Sequence, residues 1–173
     1  EDLKDLLRIS YLYNSGYKIS SIARMSRHEM NNLIDEKSSQ NGPSAGFISK
    51  MLMASIDYDE TKFSQILEKA IKQSGIETCI LETFYPFLVR IGHLWLTNHV
   101  IPAQEHFSSY LIQNKIIDAI DRLPNGTPGE NKKVIIFGLP EEFHEIPLLV
   151  ALFFSGKIKY PVSIPEYTQA RKQ

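Results

Sequence analysis

The sequence predicts a mainly α-helical chain that ends in an incomplete α/β segment, and three observations carry that prediction. Apolar residues recur at helical spacing through most of residues 1–123. Two stretches rich in Ser, Asn, Gly and Pro, at 38–45 and 124–131, read as linkers. Beyond the second, Val134-Ile135-Ile136-Phe137-Gly138 is a compact β-branched run of the kind found in buried strands. The expected organisation is a helical segment over 1–37, a linker over 38–45 and a four-helix bundle over 46–123. A second linker then covers 124–131 and a partial Rossmann-like segment 132–173.

Each element has its own signal. Leu3, Leu6, Leu7, Ile9 and Leu12 fall on one helical stripe, which Gly16 stops. Ser20 is the expected N-cap of a short helix carrying Ile22, Ala23 and Met25. The polar stretch from Ser26 to Glu36 offers only Met30, Leu33 and Ile34 for burial. In the bundle, the first helix runs from about Phe47 to Ile56 with Leu52 and Met53 inside. The second, capped by Asp59, carries Phe63, Ile66, Leu67, Ala70 and Ile71 as far as Gly75. The third spans Ile76 to about Leu96, with a kink expected at Pro86 because a proline ring clashes with the preceding turn. The fourth starts at Pro102 and is expected to bury Phe107, Tyr110, Leu111, Ile116, Ile117 and Ile120. Short connections between such helices favour antiparallel packing. After the 134–138 strand come a loop and a helix from about Glu145 to Phe154, the opening of a doubly wound sheet. Phe154-Ser155-Gly156 reads either as a junction where residues are omitted or as a helix ending in glycine.

Composition narrows the function. A net charge of −1 argues against a nucleic-acid-binding surface spread over all 173 residues. Arg90, His93, Asn98 and His99 interrupt the most apolar stretch well short of the roughly 20 residues of a membrane span. Cys79 is the sole cysteine, so no internal disulfide can form, and a reducing cytoplasm is the expected setting. His93, His99, Glu105 and His106 lie close around a helix–helix turn, but a diiron bundle needs paired Glu-x-x-His motifs, which do not occur. With no phosphate loop, no Gly-x-Ser-x-Gly and no convincing triad, an enzyme with its own active site is not expected.

Three constellations remain. Leu6-Leu7-Arg8 precedes Tyr13-Asn14-Ser15-Gly16-Tyr17-Lys18-Ile19-Ser20-Ser21-Ile22-Ala23, a helix, a glycine turn and a helix. Trp95 is followed after nine residues by Glu105-His106, with Ile91-Gly92 before it and Pro102-Ala103-Gln104 leading in. On residues alone, Trp95 could equally be a core residue, and Glu105 could simply suit a helix N-terminus. Glu142-Phe143-His144 sits in the loop after the strand, where an open α/β sheet places ligand contacts, although solvated loop residues would look the same.

The first constellation resembles the third and fourth helices of the MerR DNA-binding domain. The second resembles the Trp-x9-Glu-His signature of the helical cobalamin-binding bundle in CarH/LitR-like regulators and methionine synthase. The third resembles the Glu/Asp-x-His-x-x-Gly loop of cobalamin-binding Rossmann-like domains. Together they imply a cytoplasmic, homo-oligomeric MerR-type transcriptional regulator with cobalamin as its small-molecule effector. Trp95 would pack over the cofactor's upper face, and Glu105 and His106 would contact the upper ligand. His144 would ligate cobalt from below, with Glu142 orienting it. Promoter DNA would be read mostly by residues upstream of Glu1. Two departures stand out: Pro147 replaces the glycine of the loop motif, and Leu96 stands where light-sensing CarH-type proteins have a histidine. The latter argues against the same photochemical switch. A corrinoid carrier of a methyltransferase system, or a cofactor-free dimerisation module, would share the bundle.

Overall fold

The computed structural model describes residues 2–40, 43–124, 134–138, 145–158 and 162–163. They fall into two compact units, 1–112 and 113–173. The fold is mostly helical, as the periodicity predicts.

The first unit opens with α1 (Asp2–Asn14), which turns Leu7 and Leu12 inward. Gly16 ends it at φ 92°, where Tyr17 N donates to the Leu12 carbonyl and Gly16 N to that of Tyr13. This closure needs a left-handed residue, which glycine supplies without a steric cost. α2 (Ile19–Ile22) starts two residues earlier than expected: its N-cap is Lys18, whose extended backbone carries no capping side chain, so Ser20 is not the cap. α3 (Arg27–Gln40) is properly capped. Glu29 Oε2 accepts from Ser26 N at 2.7 Å, and Glu29 N donates to Ser26 Oγ at 3.3 Å. This reciprocal box satisfies two backbone donors at a helix start. Leu12, Ile22, Met30 and Ile34 form the small core that joins the three helices.

The expected linker at 38–45 is largely helical, because α3 extends to Gln40 and α4 (Pro43–Ile56) starts at Pro43, a favoured first-turn residue. α5 (Glu60–Ser74) follows the reading closely: Asp59 Oδ1 accepts from Lys62 N at 2.9 Å, and Gly75 at φ 79° ends the helix. Its Phe63, Leu67 and Ala70 are fully buried. Between α4 and α5, Tyr58 adopts φ 53°, a conformation that costs a side-chain-bearing residue about 1 kcal/mol. Its ring meets the edge of Phe107 at 5.5 Å.

The third bundle helix spans Ile76 to Leu96 as expected, but with a wider turn inside it. α6 (Ile76–Cys79) runs into a π-helical turn, Ile80–Phe84, and then α7 (Tyr85–Leu96). Tyr85 N reaches back five residues to the Ile80 carbonyl. Pro86, with no N–H, falls in the first turn of α7. The wide turn thus ends immediately before the proline, which has no N–H to give to it. Phe63, Phe87 and Phe107 stack edge to face at 5.6 and 6.1 Å, forming an aromatic centre to which α5, α7 and α8 (Pro102–Asp121) contribute.

The inward face of α8 differs from the expected one. Ser108, Ile112 and Ile116 are buried, whereas Tyr110 and Ile117 are exposed. The reading counted apolar residues and so passed over Ser108, a small polar side chain that suits a close helix–helix approach.

The second unit holds α8 from Gln113 onward, β1 (Val134–Ile135), α9 (Ile146–Lys157) and β2 (Val162–Ser163). The strands pair in parallel, Val134 opposite Val162 and Ile135 opposite Ser163, with α9 in the crossover between them. The 134–138 run is not buried on both faces as expected. Ile136 is covered, but Ile135 and Phe137 are exposed, and α9 packs on β2. α9 continues through Phe154-Ser155-Gly156 to Lys157. A Cβ at Gly156 would lie 2.8 Å from Leu123 Cδ1, so a larger residue there would make the leucine side chain shift.

Candidate functional site

The site is built around the α7–α8 connection. α7 carries Trp95 in its last turn and ends in a left-handed residue, Asn98, at φ 58°. Asn98 N donates to the Trp95 carbonyl at 2.9 Å and His99 N to that of Leu94 at 2.8 Å. These are the two hydrogen bonds of a Schellman closure, with asparagine in the place usually held by glycine. Thr97 Oγ1 donates to the His93 carbonyl at 2.9 Å, and His99 Nδ1 lies 2.9 Å from the same hydroxyl. The backbone N–H groups of Thr97, Asn98, His99 and Val100 are thus all drawn back onto the helix end, and Val100 is buried.

α8 begins with equal precision. Ile101 N donates to Gln104 Oε1 at 3.1 Å, the half of a capping box that a glutamine at the third helical position provides. The other end of the same side chain, Nε2, donates to the Ile56 carbonyl at 2.9 Å and ties the start of α8 to the end of α4. One turn on, Ser108 Oγ lies 2.7 Å from Ser55 Oγ inside the bundle. Glu105 and His106 therefore stand on a helix start that is fixed from two sides.

The structure brings Glu105 and His106 together: His106 Nδ1 and Glu105 Oε2 are 2.9 Å apart, the carboxylate largely covered and the imidazole 73% exposed. Trp95, across the five-residue connection, is 41% exposed, so its indole is a surface group rather than a core one. The site is open. Two surface grooves, of about 450 and 290 Å³, are lined by none of Trp95, Glu105 and His106. Leu96, Ile101 and Tyr110 are also exposed around this connection. This leaves apolar side chains exposed on both helices that meet at the connection. The sequence reading missed it because it assigned Tyr110 to the core. The spacing His106–Tyr110, one helical turn, was the available signal.

Glu142 and His144 lie outside the described residues, as does the loop that holds them. Among the described residues no three His, Cys, Asp or Glu side chains converge as a metal site, so His93, His99, Glu105 and His106 do not form one together. Burial pushes the Cys79 thiol up from its ordinary pKa, which suits a packing role and not a nucleophile. No helix among the described residues is long and apolar enough to cross a membrane.

Residues 48–117, which enclose Trp95, Glu105 and His106, match the family model described as the B12 binding domain. The chain is also 25% identical over 156 residues to the HTH-type transcriptional repressor CarH of Myxococcus xanthus. That similarity covers 87% of this chain and 51% of the relative, so the chain spans about half the length of the curated protein it matches. The two findings point to cobalamin as the cofactor.

Proposed function

We propose that this chain is the effector-sensing part of a MerR-type transcriptional regulator, with cobalamin held at the α7–α8 end of its bundle. The observation that carries the reading is a coincidence. The segment matching a B12 binding domain contains an exposed indole and a paired carboxylate and imidazole, all at one fixed helix–helix connection. A flat, largely apolar corrin face suits an exposed aromatic ring, and a polar upper ligand suits hydrogen-bonding groups beside it. Cobalamin, when bound, would supply a cobalt ion that can take a ligand from a protein side chain.

The chain's own residues would then divide the work. Trp95 covers the upper face and excludes water. Glu105 orients His106, and both present hydrogen-bonding atoms to the upper ligand. Leu96 offers no donor atom, so it gives cobalt no replacement ligand from this side. His144, with Glu142, is the proposed lower ligand. In this reading the protein senses and does not catalyse. It acts in the cytoplasm as a homo-oligomer, and cofactor binding sets the spacing of two DNA-reading heads on promoter DNA. The DNA-reading helix of MerR-type proteins precedes the segment that α1 and α2 resemble.

Titration of the protein with adenosyl-, methyl- and hydroxocobalamin, followed by absorption, tests this. Binding should be saturable, Trp95→Ala should weaken it at least about tenfold (about 1.4 kcal/mol), and His144→Ala should alter the bound spectrum. If no form binds at high micromolar concentration, cobalamin sensing is excluded.

A further inference from the structure

We propose that the groove between α1, α3, α4 and α5, remote from the α7–α8 connection in sequence, is a binding site for a small organic anion with an apolar body. The groove measures about 450 Å³, within the range of about 300–1,000 Å³ typical of small-molecule sites. Five basic side chains line it against two acidic ones, in a chain whose net charge is −1. A cleft lined mainly by one sign of charge concentrates ligands of the other.

The arrangement of these groups gives the chemical class. Lys4 pairs with Asp57, and Lys50 with Asp35 at 2.5 Å. In both pairs the cation is the deeper partner: the lysine side chains are 15% and 27% exposed, their acids 49% and 61%. An anion entering the groove therefore meets ammonium groups whose present partners stand at the rim and can yield to it. Arg8 is already committed to Asp5 and Asn31 and acts as a fixed positive wall. Lys62 and Lys69 lie two turns apart on one side of α5, about 10 Å along its axis, with no acid at salt-bridge distance among the described residues. Between these cations, Ile34, Phe47, Met53 and Ile66 supply an apolar lining. Inorganic anions would leave that lining in contact with water, whereas a carboxylate or sulfonate on a hydrocarbon or aromatic body would cover it.

Fluorescence titration of the 173-residue chain with anilinonaphthalene sulfonate tests the site. The expected result is saturable binding, displaced by decanoate but not by decanol, and weakened by salt. The K62E/K69E variant should lose at least about tenfold in affinity and K62Q/K69Q less, with far-UV circular dichroism unchanged, as both lysines are exposed. L96S/Y85S, which alters the exposed face of α7, should bind as the parent does. Unchanged affinity in K62E/K69E, failure of decanoate to displace the probe, or loss of binding in L96S/Y85S would each overturn the proposal.

Discussion

The three N-terminal helices and the bundle that follows them are held by different forces. α4, α5 and α7 close on fully buried Phe63, Phe84 and Phe87, with Phe107 at the edge, an aromatic centre that excludes water from a large apolar area. α1–α3 share a smaller buried cluster, Leu12, Ile22, Met30 and Ile34, with partly buried neighbours packed against it. They compensate with polar contacts: Arg8 and Arg27 both reach Asp5 at 2.7 Å, Arg8 Nε donates to Asn31 Oδ1, and Ser26 and Glu29 cap α3. Apolar burial is indifferent to pH and nearly so to salt, whereas exposed ion pairs are screened and titrate. The difference teaches that the two regions should answer to different perturbations although they lie in one compact unit.

The largest test of that contrast is in the aromatic centre. Phe63→Ala should cost about 3–5 kcal/mol in urea unfolding, because the cavity it leaves is walled by rigid rings. Leu12→Ala should cost less, about 2–3 kcal/mol, since its smaller core can collapse around the gap. If the two losses prove equal, core size does not distinguish the regions. A step smaller, Ser26→Ala removes one side of the capping box and should cost about 1 kcal/mol. The smallest effect expected is acidic. The Arg27 hydrogen bond, with the charges of Arg27 and Arg8, holds the Asp5 carboxyl below its usual value. The backbone and hydroxyl of Ser26 do the same for Glu29. A carboxylate whose folded pKa is lowered stabilises the fold above its unfolded pKa, and that contribution disappears as pH falls through the folded value. Amides of α1–α3 should therefore lose hydrogen-exchange protection as pH drops below about 4, while those of α5 keep it. Simultaneous loss in both regions would remove the contrast.

The same division explains what the sequence showed. Phe63, Leu67 and Ala70 announce α5 because a buried helical stripe is written in hydrophobicity, and Asp59 and Gly75 mark its ends by residue type alone. The α7–α8 connection was harder. Gly16 and Asn98 close their helices with the same hydrogen bonds, but only glycine is an unambiguous stop, so Asn98 went unread. Ser26-x-x-Glu29 was legible as a capping box and was overlooked among polar neighbours. At the candidate site, the resemblance to the Trp-x9-Glu-His signature singled out Trp95, Glu105 and His106, but not that Tyr110 and Ile101 are exposed. Exposure of an aromatic residue depends on which helix face packs, and Ser108, paired with Ser55, decides that from a position no apolar count includes.

The π-helical turn at Ile80–Phe84 has a further consequence, for helical phase. A π turn closes one residue later than an α turn, so everything after it is rotated by one residue's step, about 100°, relative to an uninterrupted helix starting at Ile76. Trp95 owes its direction to that offset. Closing the same five residues, Ile80 to Phe84, as ordinary α-helix with none removed would take that offset away. It would swing Trp95 about a quarter of the way around the axis, or force the bundle to rotate beneath it. One extra residue thus works as a frame adjustment, setting where the helix faces at its far end without changing any residue there.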